Sequence, residues 1–544
     1  MDNNAFLTDW GLSLMVFLPL AGALLVMLLP KAEEQMIKVV ALGASLASAA
    51  VGVAVLADFD YGASEKLQFV VNKSWIEVIH SNYLVGIDGL SVPLVALTLL
   101  ITPLVIIYSW NHFPEPHNPK AFLALMLVLH TGMLGSFVAQ DLILFFVFFE
   151  VVLLPMYFMI GVWGGEQRQY AAIKFFLYTL FGSALMIVSF LAVFFVAGGD
   201  SFSMASLAQG VADRNAAGDL AMATQVLIFG GMFMGFGIKV PMFPFHTWLP
   251  DAHTQAPTQG SVILAAVLLK LGTYGFIRVA LFILPEAAVK WAPYIGGLAV
   301  VGIIYGALGC LAQTDMKRLI AFSSVAHMGF VMLGIASLTT FGMNAAVFGM
   351  VAHGLITGML FFIAGSVKHR YHTLEIKRLS GMLIQMPKMG WILGFCAMAS
   401  LGLPGLAGFW GEFPAILSAY SPGFGLDVTL FRTLMVIAAV GTVLAAGYLL
   451  WLYQRTAFGN PSPEFVSHGE PAHSLSAAAN HDHDAEHAHA GHGDDIHDVT
   501  VVEWIAWTPF LVAIVVFGLY PQLMFKVMDP AVTQLVERVG AGIP

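Results

Sequence analysis

The stretch KVPMFPFHTWLPDAHTQAPTQGSVILAAVLLKLGTYG, residues 239–275, joins a polar, proline-rich segment to a long apolar run that contains a lysine. Pro241 lacks an N–H and its ring clashes with the carbonyl four residues earlier, so a helix that reaches Lys239 should break there. Lys270 lies about 20 Å along a helix axis from Pro257. An ionisable group at that depth in an apolar helix is costly and is a functional candidate by default. The stretch therefore predicts two membrane helices, one broken and one continuous, each with a buried lysine.

The composition of the whole chain agrees with a membrane protein. Of its 544 residues, 58% are hydrophobic and only 10% are charged, whereas soluble proteins carry about 25% charged residues. The two cysteines, Cys310 and Cys396, lie in apolar stretches, and no CxxC pair exists. Two thiols cannot hold an iron–sulfur cluster alone, so we interpret both as small apolar residues inside helices.

Long continuous apolar runs predict an all-α polytopic bundle and exclude a closed β-barrel, whose strands alternate. A crossing needs roughly 20 apolar residues. The N-terminal MDNNAFLTDWG has no positively charged region, so we expect the first run to remain in the membrane as a helix. We place fourteen spans at about 10–29, 36–57, 84–109, 119–138, 141–162, 170–197, 221–240, 257–284, 294–312, 319–338, 343–367, 389–419, 430–454 and 502–524.

The distribution of Lys and Arg over the loops predicts the orientation, because cytoplasmic loops carry the excess of positive charge. One set of alternate loops carries thirteen such residues, and the other carries six, or seven with Arg432. The richer set is Lys31, Lys38, Lys120, Arg168, Lys174, Lys317, Arg318, Lys368, Arg370, Lys377, Arg378, Lys388 and Arg455. We expect this set to face the cytoplasm, which places both termini outside.

The loop 456–500 accounts for most of the net charge of −10. It contains eight acidic residues, eight histidines and no Lys or Arg, which leaves about −2 for the rest of the chain. Its low-complexity HDHDAEHAHAGHGDDIHD cannot build a core and is typical of a solvated linker. A metal site is the weaker alternative, since imidazole and carboxylate groups bind Zn²⁺ or Ni²⁺. The candidate ligands are His481, His483, His487 and His489.

Four ionisable residues are predicted at one depth on four different helices. Glu150, His327 and His353 each lie nine residues from a polar or charged residue near the start of their span, about 13.5 Å along the axis. The half-thickness of the hydrocarbon core is ~15 Å, so these three and Lys270 lie near the midplane. Any one alone could be a locally hydrogen-bonded polar residue. Four at one level favour a shared function.

Glu412 and Lys239 are predicted beside helix breaks. Glu412 ends the stretch SLGLPGLAGFWGE, and the span that contains it, 389–419, is too long for a straight crossing. Pro404 and four glycines should unwind its middle. Broken helices expose backbone dipoles that hold ions in transporters, and paired broken helices indicate an inverted repeat, here spans four to eight and nine to thirteen. Close helix packing is the alternative for the glycines, but it does not explain the charges.

Together these residues indicate a proton relay. Desolvation favours the neutral amine of a buried lysine, whereas a nearby carboxylate favours the charged form. Small movements of Glu150 relative to Lys239 would therefore switch that lysine between holding and releasing a proton. The predicted relay residues are Glu150, Lys239, Lys270, His327, His353 and Glu412. Chains of Asp, Glu and His are used in this way in pumps.

The stretch 239–275 resembles the signature of the antiporter-like membrane subunits of complex I, the proton-translocating NADH:quinone oxidoreductase, and of Mrp-type cation antiporters. Similar matches are FFVFFEVVLLPMYFMIGVWGG (145–165), DMKRLIAFSSVAHMGF (315–330), HGLITGMLFFIAGSV (353–367) and LGLPGLAGFWGEF (401–413). The resemblance covers nearly all of the membrane part and none of the loop 456–500.

The resemblance implies roles for individual residues. Glu150 and Lys239 match the coupling ion pair of the family, and Lys270 matches the lysine that connects this pair to the second half-channel. The terminal residue on the twelfth span is usually Glu in M-type (chain 4) subunits and Lys in the related types, so Glu412 favours the M type. The lack of a long lateral helix after the last span argues against the L type.

The resemblance also implies an architecture, partners and a location. It implies fourteen transmembrane helices, two inverted five-helix repeats, and broken helices 7 and 12. It implies no cofactor in this chain, with NADH, FMN, iron–sulfur clusters and quinone held by partner subunits. L-type and N-type antiporter-like subunits are the expected neighbours, together with lipids and without nucleic acid. The expected location is the bacterial plasma membrane, with the His-rich loop in the cytoplasm.

We expect five segments along the chain: N-terminal helices (1–110), a first repeat (111–285), a second, inverted repeat (286–455), the acidic His-rich loop (456–500), and a last helix with a C-terminal tail (501–544). A subunit of an Mrp-type Na⁺/H⁺ antiporter would use the same relay without redox input and is the second hypothesis. A purely structural membrane scaffold is the third.

Overall fold

A computed structural model describes residues 5–465 and 496–541 of the chain, and most of these residues are helical. The α-helices are α1 (Leu12–Leu28), α2 (Glu34–Asp58), α3 (Val92–Tyr108), α4 (Pro119–Val138), α5 (Leu142–Val151), α6 (Leu153–Trp163), α7 (Arg168–Val196), α8 (Met204–Ala216), α9 (Met222–Lys239), α10 (Trp248–Gln255), α11 (Thr258–Ile263), α12 (Leu269–Gly275), α13 (Pro285–Leu311), α14 (Met316–Ala336), α15 (Thr340–Tyr371), α16 (Met382–Gln385), α17 (Pro387–Ser400), α18 (Ala407–Ser418), α19 (Val428–Ala457), α20 (Val501–Leu519) and α21 (Gln522–Ala541). The π-helical segment Leu264–Leu268 joins α11 to α12, and a second one, Phe276–Leu281, continues α12, so that these elements form one span that ends at Leu281.

The prediction that most of the chain forms a bundle of membrane helices is confirmed. Within the described ranges, twelve helices are long and apolar enough to cross a membrane. α3 is apolar but shorter, with 17 residues. The burial of the spans is uneven, because residues 259–281 and 342–367 are all buried whereas α19 exposes much of its surface. The two innermost spans are the ones that contain Lys270 and His353.

The prediction of an all-α chain was wrong at residues 68–87, which form a β-hairpin. Strands β1 (Gln68–Ile76) and β2 (Ser81–Ile87) pair antiparallel, with Val71 opposite Val85 and Lys73 opposite Tyr83. The predicted span 84–109 therefore begins as a strand and becomes helical only at α3. Hydropathy does not distinguish the two, because β-branched and aromatic residues are apolar in either structure.

The prediction of one span over 502–524 was also wrong at its end. α20 stops at Leu519, and a separate amphipathic helix, α21, follows. Pro521 disfavours helical geometry at the preceding residue, and Tyr520 has φ −131° and ψ 66°. α21 packs along α13 and α15, and Met528 and Val532 are fully buried.

The two predicted helix breaks are confirmed. α9 ends at Lys239, and the Met242 N–H donates to the carbonyl of Gly237 at 2.8 Å, the group that the missing Pro241 N–H leaves free. The indole of Trp248 donates to the neighbouring carbonyl of Ile238 at 2.9 Å. α17 and α18 are separated by an unwound stretch, 401–406. Gly402 and Gly405 have φ +79° and +94° in this stretch, a conformation that favours glycine.

The hairpin is tied to the helix that carries Glu150. The carboxylate of Asp141 caps α5 by accepting from the N–H groups of Ile143 and Leu144. The same carboxylate accepts from the Ser81 hydroxyl at 2.9 Å and from the Asn82 N–H at 3.1 Å. One buried carboxylate thus caps the helix and fixes the hairpin against it.

Arg370 and Glu503 form a buried ion pair that holds α15 against α20. The guanidinium donates to both carboxylate oxygens at 2.9 and 2.7 Å, and to the carbonyls of Ser366, His497 and Asp498. All five guanidinium donors are therefore used. His112 lies 3.5 Å from Glu503, but burial lowers the pKa of His112 to about 4. Its imidazole is neutral at neutral pH, so Arg370 balances the carboxylate.

Replacing Glu503 by Gln should destabilise the chain strongly, because it leaves the Arg370 charge buried without a counter-ion at a cost of about 3–5 kcal/mol. The double replacement Arg370→Met with Glu503→Met should cost much less, since no buried charge remains. Thermal unfolding of the purified proteins in detergent compares the two. A double variant as unstable as Glu503→Gln would contradict this account of the pair.

Candidate functional site

Glu412 and His327 are in contact inside the bundle. Glu412 lies on α18, one turn past the unwound stretch, and the Nδ1 atom of His327 on α14 lies 2.5 Å from its Oε1. The other ring nitrogen of His327 lies 3.1 Å from the Tyr448 hydroxyl and 3.2 Å from the Ser400 hydroxyl. Both residues are over nine-tenths buried. The imidazole therefore connects a carboxylate to two hydroxyl groups without exposure to bulk water.

Lys270 and His353 form a second contact. The Nζ atom of Lys270 donates to the carbonyl of Ala265 at 2.5 Å and to the Nδ1 atom of His353 at 2.7 Å. Ala265 lies in the π-helical segment Leu264–Leu268, and such segments are frequent at functional sites because their backbone bonding is irregular. Lys270 is fully buried, and no described carboxylate lies within ion-pair distance of it.

A small cavity joins the two pairs. The ring centroids of His327 and His353 are 6.0 Å apart, too far for a direct hydrogen bond. Both rings line a cavity of about 20 Å³ together with Glu412, Thr357 and Ser400. This volume is enough for one water molecule among polar partners. The Nε2 atom of His353 is buried and has no other hydrogen-bond partner among the described residues, so such a water can connect the two imidazoles.

Glu150 and Lys239 lie close together without forming a contact ion pair. The predicted ion pair is not formed in this structure, since no described Lys or Arg nitrogen lies within 4.0 Å of the Glu150 carboxylate. Glu150 instead accepts a short hydrogen bond from the Ser183 hydroxyl. The Lys239 amine lies 4.7 Å from the centre of the Phe149 ring, a cation–π distance.

The fold brings both lysine-bearing helices together at the centre of the chain. Gly272, two residues beyond Lys270, packs against the last turn of α9, and an added Cβ there would lie 2.7 Å from the carbonyl of Phe236 and 2.8 Å from Val240. Only glycine allows this approach. Because α9 ends at Lys239, the close packing places the two lysines on adjoining segments.

Several further buried ionisable residues were not predicted from the sequence, among them Lys317, His253 and His130. Lys317 was assigned to a loop, but it is 4% exposed and donates to the carbonyl of Ala256 at 2.5 Å. His253 and His130 are fully buried, and their ring nitrogens have no hydrogen-bond partner in the described part of the chain. The His253 ring is stacked on Phe361 at 4.4 Å. The HTWLPDAHTQ sequence was the available signal for His253, but its polar composition indicated a loop.

The remaining candidates are either paired or outside the described residues. Arg278 makes a short ion pair with Asp88, and its Nε donates to the Tyr274 hydroxyl at 3.0 Å. The four histidines of the weaker metal hypothesis, His481, His483, His487 and His489, lie outside the described residues. Among residues 5–465 and 496–541, no group of three potential ligands is placed to hold a metal ion.

Family comparisons agree on one family. Residues 139–440 match the model described as "NADH:quinone oxidoreductase/Mrp antiporter, TM", and residues 65–136 match "NADH-ubiquinone oxidoreductase chain 4, amino terminus". The chain is 39% identical to "NADH-quinone oxidoreductase subunit M" of Rhodobacter capsulatus, over 98% of this chain and 97% of that protein. It is 39% identical to "NAD(P)H-quinone oxidoreductase chain 4 1" of a Picosynechococcus species, over 97% and 92% of the two chains.

Solved structures have the same fold. A chain of "Respiratory complex I from Thermus thermophilus with bound NADH" superposes with a TM-score of 0.80 at 26% identity, covering 97% of this chain and 100% of that one. A chain of the Mrp complex from a Dietzia species superposes with a TM-score of 0.78 at 20% identity, covering 97% and 99%, and shows the fold alone. The chain therefore belongs to the antiporter-like membrane subunits of NADH:quinone oxidoreductase (complex I), in the subunit M (chain 4) branch of that family.

Proposed function

We propose that this chain translocates protons in the membrane arm of NADH:quinone oxidoreductase, coupled to quinone reduction elsewhere in the complex. The observation that carries the proposal is the series Lys270, His353, His327 and Glu412, in which two hydrogen-bonded pairs share one water-sized cavity. An amine, two imidazoles and a carboxylate buried together in apolar helices are a costly arrangement. A scaffold does not require it, whereas proton transfer does.

The geometry suggests the order of transfer. The Lys270 ammonium donates toward Nδ1 of His353, and protonation there allows the Nε2–H of the same ring to release its proton into the cavity. Water in the cavity passes a proton to His327, whose Nδ1–H donates to Glu412. Each imidazole accepts at one nitrogen and releases at the other, so one proton moves along the series without side-chain movement. Each ring must then turn to restore its starting tautomer before the next proton arrives.

Glu150 and Lys239 supply the coupling step in this proposal. Glu150 has two alternative partners, the Ser183 hydroxyl, which it contacts, and the Lys239 amine, which it does not. With Glu150 turned to Ser183, the buried Lys239 amine faces the Phe149 ring and has no described carboxylate within 4.0 Å, so desolvation favours its neutral form. With Glu150 turned to Lys239, the charged form is favoured. Movement of the carboxylate thus decides whether Lys239 holds a proton for transfer toward Lys270.

The proposal includes the number, arrangement and orientation of the membrane crossings. The twelve long spans, α3, and the broken span α17–α18 together give fourteen crossings, arranged as two inverted five-helix repeats within 111–285 and 286–455. The face that carries Lys317 and Arg318 is the cytoplasmic one by its excess of positive charge, which places both termini outside in a bacterial plasma membrane. The acidic His-rich loop 456–500 is then cytoplasmic.

Other subunits of the complex would supply the electron transfer that drives proton translocation. L-type and N-type antiporter-like subunits would flank this chain, and NADH, FMN, iron–sulfur clusters and quinone would be held by other subunits. The relay residues of this chain move protons only. A subunit of an Mrp-type Na⁺/H⁺ antiporter is the alternative, and the relatives named as subunit M and chain 4 of quinone oxidoreductases favour complex I over it.

Replacing Glu412 by Gln should reduce NADH-driven proton uptake into inverted membrane vesicles on the order of a hundredfold, because an amide keeps the volume but cannot accept the proton from His327. The matched control is Glu166→Gln, an exposed carboxylate of the same chain, which should pump normally. Normal pumping by an assembled Glu412→Gln complex would overturn the relay. Sodium–proton exchange without NADH in the wild type would support the antiporter alternative.

The variants Glu150→Gln and Lys239→Met should be non-additive, although the two side chains do not touch in this structure. If the carboxylate controls the lysine, removing either should abolish the same step, so the double variant should pump about as poorly as each single one. A double-mutant cycle on initial rates of proton uptake should give a coupling of about 0.5–3 kcal/mol. Independent losses that multiply would show that the residues act in separate steps.

A further inference from the structure

A polar pocket lies next to the Glu412 end of the relay. It has a volume of about 320 Å³ and is enclosed by α15, α18 and α21. Its polar lining consists of Asn344, Gln522, Lys526 and Asp529. The pocket lies on the membrane face opposite Lys317, because Lys317 begins α14 whereas Asn344 lies in the first turns of α15, just after α14 ends.

Asn344 is a buried polar residue whose hydrogen bonds are incomplete. Only 7% of the residue is exposed. Its Nδ2 donates to Asp529 at 2.6 Å, whereas its Oδ1 is buried and has no partner within the described ranges. A buried amide oxygen without a partner costs free energy, and water in the pocket beside it would satisfy that oxygen. The residue therefore marks the pocket as a hydrated site.

The pocket is at most about one and a half helical turns from the relay cavity. On α18, Glu412 lines the cavity and Pro414 lines the pocket. On α15, Gly349 lines the cavity and Asn344 lines the pocket, five residues or about 7.5 Å along the axis. The two helices cross tightly at this point, since an added Cβ on Gly411 would lie 2.5 Å from the Cα atom of Gly349. Only a short barrier separates the cavity from the pocket.

The barrier is closed from the side of α21 by an aromatic residue. Phe525 of α21 stacks on Phe348 at 5.1 Å and lies 6.3 Å from the Trp410 ring. Trp410 is two residues before Glu412, and its indole donates to the carbonyl of Gly518 at 2.8 Å. Phe525 and Asp529 occupy one face of α21, one turn apart. The same helix thus contributes both the apolar cover of the relay and the acid at its outer side.

We propose that this pocket is the outward vestibule of the relay, through which a proton released by Glu412 reaches the membrane face opposite Lys317. The proposal rests on the proton-translocating function proposed above. It assigns Asn344 and Asp529 to the reaction as the residues that hold the water and accept the proton beyond Glu412. The exposed side of Asp529 returns it to bulk solvent.

The transfer is balanced without any further reactant. When the barrier at Phe525 opens to water, the O–H bond of protonated Glu412 breaks and its proton passes through that water to a water molecule hydrogen-bonded to the Asn344 Oδ1. That water passes a proton to the Asp529 carboxylate, and Asp529 releases it to the solvent. Glu412 is left as the carboxylate that accepts the next proton from His327.

The variants Asn344→Leu and Asp529→Asn test the vestibule in the intact complex. Leucine has a similar volume but holds no water, and the amide cannot accept the proton, so we expect NADH-driven proton uptake to fall several-fold in each. The matched control is Glu537→Gln on the same helix, an exposed carboxylate outside the pocket lining, which should pump as the wild type does. If both pocket variants pump normally, the vestibule is wrong.

Proton uptake by the Glu412 and pocket variants distinguishes a failure of the vestibule from a failure of the proposed function. Loss of pumping in Glu412→Gln together with normal pumping in both pocket variants would leave the proposed function standing and would place the outward route elsewhere. Asp529 is exposed, so its replacement should not prevent folding, and the test stands even if Asn344→Leu fails to assemble.

Chemical labelling tests hydration directly. In an Asn344→Cys variant, a small membrane-impermeant thiol reagent should react from the face opposite Lys317 and should block pumping. The wild type supplies the background, because its only cysteines, Cys310 and Cys396, are buried. A cysteine at 344 that reacts from neither face, or only from the Lys317 face, would overturn the proposal.

Discussion

The cost of placing charge in a membrane is the constraint on which this structure depends. A lysine in the middle of a span must have partners or lose its proton. The chain meets this requirement for Lys270 by surrounding it with protein on all sides and giving its amine two acceptors, Ala265 and His353. Residues 259–281 and 342–367, which include Lys270 and His353, are all buried, so the lipid-facing helices serve largely to keep these two out of contact with lipid.

Interrupted helices supply the polar contacts that a regular helix cannot. The π-helical turn before Lys270 exposes the Ala265 carbonyl to its amine. The unwound stretch between α17 and α18 places Ser400 and Glu412 on either side of His327. Near Glu150, the helix is interrupted between α5 and α6, where Pro155 cannot donate to the carbonyl of Val151. Irregular backbone inside the membrane occurs where it is buried in protein, and here it coincides with the ionisable residues.

Much of this site could be predicted from the sequence, because its signals are local. A charged residue in an apolar run and a proline inside a helix each have a direct physical meaning, and they indicated Lys270, Glu412 and both helix breaks. The burial of residues that are covered only by tertiary packing could not be predicted from the sequence. The sequence around Lys317 indicates a loop, but the connection between α10 and α11 packs over this lysine and accepts its hydrogen bond. Arg370 lies at the end of a helix and is buried because α20 packs there and provides Glu503 as its partner. Likewise, the hydrogen bond that Glu150 accepts from Ser183 depends on how α7 packs against α5.

The central claim is that Lys270, His353, His327 and Glu412 form one connected proton path. A cryo-electron microscopy map of the whole complex in which ordered water is visible tests this most directly. We expect a water in the cavity between the two imidazoles, within about 3 Å of a nitrogen of each ring, and an intact contact between His327 and Glu412. A dry gap between the histidines, filled by apolar side chains, would contradict the account.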